Sequence, residues 1–140
     1  MYKLYTIKSR MKQIITVLTP NDLKSIQSRC KDKILVIKYT ASWCGPCKTI
    51  KPMIEEYFSS MPDNVLCADL DVDDEDNMDL YSVFHKKRML SGIPAIFVFY
   101  GDVEKDFWYV PDETVCGADI QQINSLFSRI KTRSAQLMQQ

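Results

Sequence analysis

Three apolar runs limit what this chain can become. ILVIKYT (34–40), VLCADLDV (65–72) and AIFVFY (95–100) are short, nearly unbroken and rich in β-branched or aromatic residues. That is the pattern of strands covered on both faces. Helical patterns separate them. TPNDLKSIQSRC (19–30) offers Thr19 as an N-cap and Pro20 at the first helical position, then sets Leu23, Ile26 and Cys30 at helical spacing. A second helix is expected from about Cys44 to Ser59 or Ser60, kinked at Pro52. A third is expected in DDEDNMDLYSVF (73–84), whose acidic first turn suits the positive end of the helix dipole. Ile14, Ile15, Val17 and Leu18 read as a leading strand, and 85–92 as loop or frayed helix end. Residues 105–116 read as a further strand after a turn at Gly101 and Asp102. Ile120, Ile123, Leu126, Phe127 and Ile130 form the apolar face of a C-terminal helix. The order β-α-β-α-β-α-β-β-α describes an α/β fold: a central mixed sheet with helices on both faces, closed by an antiparallel hairpin.

The chain has 140 residues, enough for one domain. We expect an N-terminal extension over 1–12, the domain over 13–132 and a C-terminal tail over 133–140. The formal net charge is zero, so no global field recruits nucleic acid or an anionic membrane. No apolar run has the length of a membrane span, and the N-terminus lacks the small-residue cleavage site of a signal peptide. Five cysteines are present, an odd number, and only Cys44 and Cys47 are close in sequence. Such usage suits a reducing compartment, here read as the cytoplasm, with one special pair.

That pair sits where a strand gives way to a helix. A cysteine at a helix N-terminus can accept the unpaired backbone N–H groups there and feel the dipole, which lowers its pKa from about 8.5 toward about 7. The second cysteine, one turn later, is placed to attack a mixed disulfide and release the product. Gly45 lets a partner chain approach, and Pro46 stiffens the short connection. Two other readings stand beside this one. C-x₂-C is also a zinc half-site, but Cys30, Cys67, Cys116 and His85 are single and form no second pair. The two residues could also be ordinary core cysteines. DLDVDDED (69–76) invites a calcium reading that fails, because Asp74 and Leu80 stand where an EF-hand loop needs glycine and glutamate.

WCGPCK (43–48) resembles the active-site motif of the thioredoxin family in full, and TASWCGPC (40–47) is similar to its eukaryotic cytosolic and plant-type members. Pro52 resembles that family's kinking proline. Gly92-Ile93-Pro94 resembles its loop with a cis proline facing the cysteines, and Gly117 a glycine after its last strand. The resemblance runs from about Gln13 to Ile130. It implies a thioredoxin fold and dithiol–disulfide exchange with no cofactor or metal beyond the Cys44–Cys47 pair. Cys44 would be the nucleophile and Cys47 the resolving thiol. Trp43, Gly45 and Pro46 would form the active-site surface, and Ile93 and Pro94 the platform for an extended substrate. The implied partners are disulfide-containing proteins and a thioredoxin reductase or similar electron donor.

Three departures from the family pattern matter. Thioredoxins usually have a buried aspartate where this chain has Lys38, and often a lysine where it has Asp69. We expect Lys38 and Asp69 to form an inverted pair beneath Cys47. The cation would favour the Cys47 thiolate while Asp69, or water held by the pair, relays the proton. The alternative is a Lys38 that snorkels to the surface. The second departure is the lengthened HKKRML segment (85–90), either a solvated loop or a selector of acidic partners. The third is EKDFWYVPDETV (104–115), whose Phe107, Trp108 and Tyr109 either cover the sheet edge or build a dimer or partner surface. A monomer is expected otherwise, and Cys67 and Cys116 are expected to be inert or weakly reactive. The reading is a protein-disulfide reductase. Its alternatives are a redox-capable adaptor whose hairpin insertion holds a fixed partner, and a thiol oxidase or isomerase.

Overall fold

A computed structural model describes residues 4–7 and 12–139. The elements in chain order are β1 (Leu4–Ile7), β2 (Lys12–Ile15), α1 (Pro20–Arg29), β3 (Ile34–Thr40), α2 (Gly45–Ser60) and β4 (Val65–Asp71). A 3-10 turn (Glu75–Asn77), α3 (Met78–Lys86), β5 (Ala95–Tyr100), β6 (Glu113–Cys116) and α4 (Ile120–Met138) follow. They make a six-stranded sheet in the order β1-β2-β4-β3-β5-β6. β3 lies parallel to β4 and antiparallel to β5. The three apolar runs are therefore the three adjacent central strands, and the α/β class read from sequence is the class observed.

Strand side chains alternate between faces. On one face Ile34, Val36, Val65, Cys67, Ile96 and Val98 pack under α2 and α4. On the other, Leu35, Ile37, Tyr39, Leu70, Phe97 and Phe99 join residues of α1 and α3. The same alternation puts position 38 with 34 and 36, on the α2 face. Asp69 follows 65 and 67 onto that face, and Lys38 and Asp69 are register partners.

Local expectations are met at α1. Thr19 caps it, its hydroxyl accepting from the Asp22 N–H while the Asp22 carboxylate accepts from the Thr19 N–H. α2 runs through Pro52 without a break.

Three expectations need correction, and a fourth is made definite. Residues 105–116 do not form one strand: only Glu113–Cys116 pairs with β5. Pro111 cannot donate to a ladder, and the Asp112 carboxylate accepts from the Tyr100 N–H instead. The segment from residue 85, read as loop or frayed helix end, starts as the last turn of α3, which ends at Lys86. Residues 4–7, within the stretch read as an extension, add an edge strand to β2. α4 continues to Met138, and Ser134 and Leu137, in the stretch read as a tail, are buried. Asn64 ties that end down by exchanging hydrogen bonds with Ser134.

Candidate active site

β3 ends at Thr40, and a short turn delivers Cys44 to the tip of α2. Cys44 is the N-cap, with extended backbone, and its sulfur accepts the Cys47 N–H at 3.2 Å. Capping by sulfur leaves no carboxylate or hydroxyl competing for the Cys47 N–H, which faces the reactive atom. Cys47 lies one turn on, at a Cα separation of 5.3 Å, and the two form a disulfide. Pro46 sits in the first turn, where its missing N–H costs nothing. Both cysteines are nearly buried and pack with Ala41, Val72 and Ile93.

The Cys44 sulfur lies 3.8 Å from the Ile93 carbonyl oxygen. The Ile93–Pro94 peptide is cis, and the Pro94 carbonyl accepts the Gly117 N–H at 2.8 Å. Gly117 has φ +98°, a conformation only glycine adopts without strain. Side chains built at Gly45 or Gly92 would meet no atom within 4 Å. The surface beside the sulfurs is thus open to a visiting chain. Trp43 is exposed beside it, its indole N–H donating to the Asp73 carboxylate at 2.8 Å. Asp73 was not singled out from sequence; its acidic run hides which carboxylate meets the indole.

Beneath the pair lies Lys38, only 1% exposed, so it does not snorkel. Its Nζ is 3.6 Å from Asp69 Oδ1. At that separation the contact is an ion pair without a hydrogen bond, and Asp69 Oδ1 has no hydrogen-bond partner. Burial pushes the Asp69 carboxyl above its ordinary value, and the attraction of Lys38 offsets this only in part. Lys38, Asp69 and Cys47 line one cleft of about 330 Å³, with Lys48, Lys51 and Asp71 at its walls.

The remaining cysteines stand apart from this chemistry. Burial pushes the Cys67 thiol up to about 12, so its nucleophilic thiolate is scarce. Cys30 is half-buried and Cys116 exposed, and neither is bonded. Among the described residues no group of three or more His, Cys, Asp or Glu side chains is placed to hold a metal ion. No helix among them is long and apolar enough to cross a membrane.

Trp108 and Tyr109 lie against the α1/α3 side of the core, while Phe107 is 59% exposed. The insertion thus divides its roles within three consecutive residues.

Comparison with known proteins places this arrangement. The thioredoxin family pattern matches residues 14–114. Thioredoxin H8 of Arabidopsis thaliana is 38% identical over 96 residues, covering 67% of this chain and 60% of that protein. A thioredoxin of Alicyclobacillus acidocaldarius is 32% identical over 101 residues, covering 71% of this chain and 88% of that protein. Among solved structures, the thioredoxin of Malassezia sympodialis superimposes with a TM-score of 0.59 at 26% identity, covering 84% of this chain and 91% of that one.

Proposed function

Since this chain belongs to the thioredoxin family, we propose that it reduces protein disulfides through its Cys44–Cys47 dithiol. In the reduced protein the Cys44 thiolate, held by the N–H groups at the α2 tip, attacks one sulfur of the substrate disulfide. That S–S bond breaks, one substrate sulfur leaves as thiolate, and the other forms a mixed disulfide with Cys44. Cys47, deprotonated in turn, attacks Cys44 Sγ. The Cys44–Cys47 disulfide forms and the second substrate sulfur leaves. Two electrons have passed to the substrate. A thioredoxin reductase or a related donor restores the dithiol.

Trp43, Gly45 and Pro46 form the face the substrate meets, and Ile93, set by the adjoining Pro94, supplies the backbone groups of the platform against which its extended chain lies. Lys38 acts as a positioning residue whose charge favours the Cys47 thiolate. Asp69, reached through the cleft, takes up and returns that proton directly or through water. The observation that carries the reading is the sulfur cap: the Cys47 N–H at the tip of α2 donates to the Cys44 sulfur beside an open surface. The exchange unit is a single domain that includes the edge strand β1 and the whole of α4, working as a monomer. Three unbonded cysteines suit the reducing cytoplasm.

The experiment is a disulfide-reduction assay driven by a chemical dithiol. Turnover is expected, with loss of at least about a thousandfold in Cys44→Ser and an accumulating mixed disulfide in Cys47→Ser. Negligible turnover with the motif intact would overturn the reading.

A further inference from the structure

The basic segment after α3 and the aromatic insertion between β5 and β6, two separate departures in sequence, meet in one surface. Lys87 Nζ stands 5.2 Å over the Tyr109 ring. Tyr109 touches Trp108 edge-on at 5.7 Å, and Lys24 Nζ of α1 stands 4.6 Å over Trp108. Gln27 of α1 donates to the Trp108 carbonyl at 2.7 Å, pinning the insertion to that helix. Phe107 continues the row at 5.8 Å from Tyr109, with its ring in solvent.

The cations of this surface lack counter-charges. Among the described residues none of Lys24, Lys86, Lys87 and Arg88 forms an ion pair, and all four are exposed. On the insertion, Lys105 is neutralised by Asp112. Glu104 and Asp106 remain exposed there and leave the surface net basic.

Arg88 adds an independent observation. It follows the last turn of α3 with φ 60°, at the position where helices commonly end in glycine. A non-glycine residue in that conformation costs about 1 kcal/mol. Backbone hydrogen bonds from Lys87, Arg88 and Met89 to the end of α3 hold it there. The turn accepts strain at a residue whose exposed guanidinium bonds to nothing described.

Arg88 is five residues before Ile93, so the chain between them spans at most about 18 Å. A substrate segment lying on Pro94 reaches Arg88 within about six residues of its cysteine. We infer that Lys24, Lys86, Lys87 and Arg88, with the exposed ring of Phe107, dock an acidic segment flanking the target disulfide of a protein substrate. Carboxylates meet the unpaired cations, an apolar side chain covers Phe107, and the encounter is steered toward the platform. The inference rests on the dithiol reading.

The test uses three disulfide-linked peptides with the same cysteine context. One carries glutamates five to seven residues on either side of the cysteine, one carries lysines there and one carries serines. At low salt the acidic peptide is expected to be reduced with a kcat/KM about tenfold above that of the basic one. The preference collapses in the Lys86→Glu, Lys87→Glu, Arg88→Glu triple variant and at high salt, while the serine peptide is reduced equally by both proteins. Arg88→Gly separates charge from folding: it is expected to raise thermal stability while weakening the preference. Equal rates for acidic and basic peptides, or a preference that survives charge reversal, overturn the inference. Binding of fluorescent cysteine-free versions reads the surface independently of chemistry. A protein that reduces no peptide yet binds the acidic one refutes the dithiol reading and leaves the surface standing.

Discussion

Lys38 and Asp69 face each other across the parallel pair β3 and β4, with the ammonium 3.6 Å from a carboxylate oxygen that accepts no hydrogen bond. The strand alternation that buries Val36 and Cys67 under α2 also puts this pair under α2, in the cleft that Cys47 lines. A lysine here cannot act as a base while charged. It can stabilise an anion, and on the proposed mechanism reduction brings thiolate to this dithiol, at Cys44 first and at Cys47 when it is deprotonated in turn.

Replacing Lys38 with methionine should therefore make the protein more reducing. The reduced dithiol loses a favourable charge, and the potential falls by about 30 mV, the equivalent of roughly 1.4 kcal/mol. Lys38→Asp should lower it further. Equilibration against a glutathione buffer measures both, and a rise in either variant reverses the sign of the argument.

Asp69 should leave its mark on stability as a function of pH. Its carboxyl titrates above its ordinary value of 3.8 in the fold because burial outweighs Lys38. Above pH 4 the folded state thus holds a proton the unfolded chain has released, and the contribution of Asp69 falls as pH rises toward its folded value. Urea unfolding from pH 4 to 7 should show wild type losing stability relative to Asp69→Asn, whatever the absolute stability of the variant. Parallel curves would place the carboxylate in an environment like water.

The insertion offers a contrast between adjacent residues. Trp108 packs on the core and holds Lys24 over its ring, so Trp108→Ala should cost about 2 kcal/mol. Phe107 is mostly solvated, and Phe107→Ala should change stability by less than about 0.5 kcal/mol. Chemical denaturation of the two variants checks the division; equal losses would mean that the loop folds back on itself.

How far these features were legible depended on the reach of the signal. The three central strands announced themselves because burial on both faces forces continuous apolar runs, and the α1 cap because Thr19 and Pro20 act locally. Residues 105–112 misled because aromatic residues satisfy strand preference equally well when they cover a core from a loop; Pro111 was the available warning. β1 was missed because a four-residue edge strand depends on its partner β2 more than on its own pattern. The end of α4 was missed because its buried Ser134 is polar, satisfied by an Asn64 seventy residues away. In the site, the closeness of Cys44 and Cys47 and the cis peptide at Pro94 were legible from local motifs. The Trp43–Asp73 bond and the joining of Lys87 to Tyr109 were not, because they depend on contacts across the fold.

Alkylation of the reduced protein as a function of pH, resolved by site with mass spectrometry, tests the central claim that the α2 tip holds Cys44 as a thiolate. Cys44 should react with a midpoint below that of a free cysteine, and at neutral pH about threefold faster than a cysteine in an unstructured peptide, the gain in thiolate being partly offset by its lower nucleophilicity. A midpoint at or above about 8.5, with Cys44 no faster than that peptide, would contradict the account.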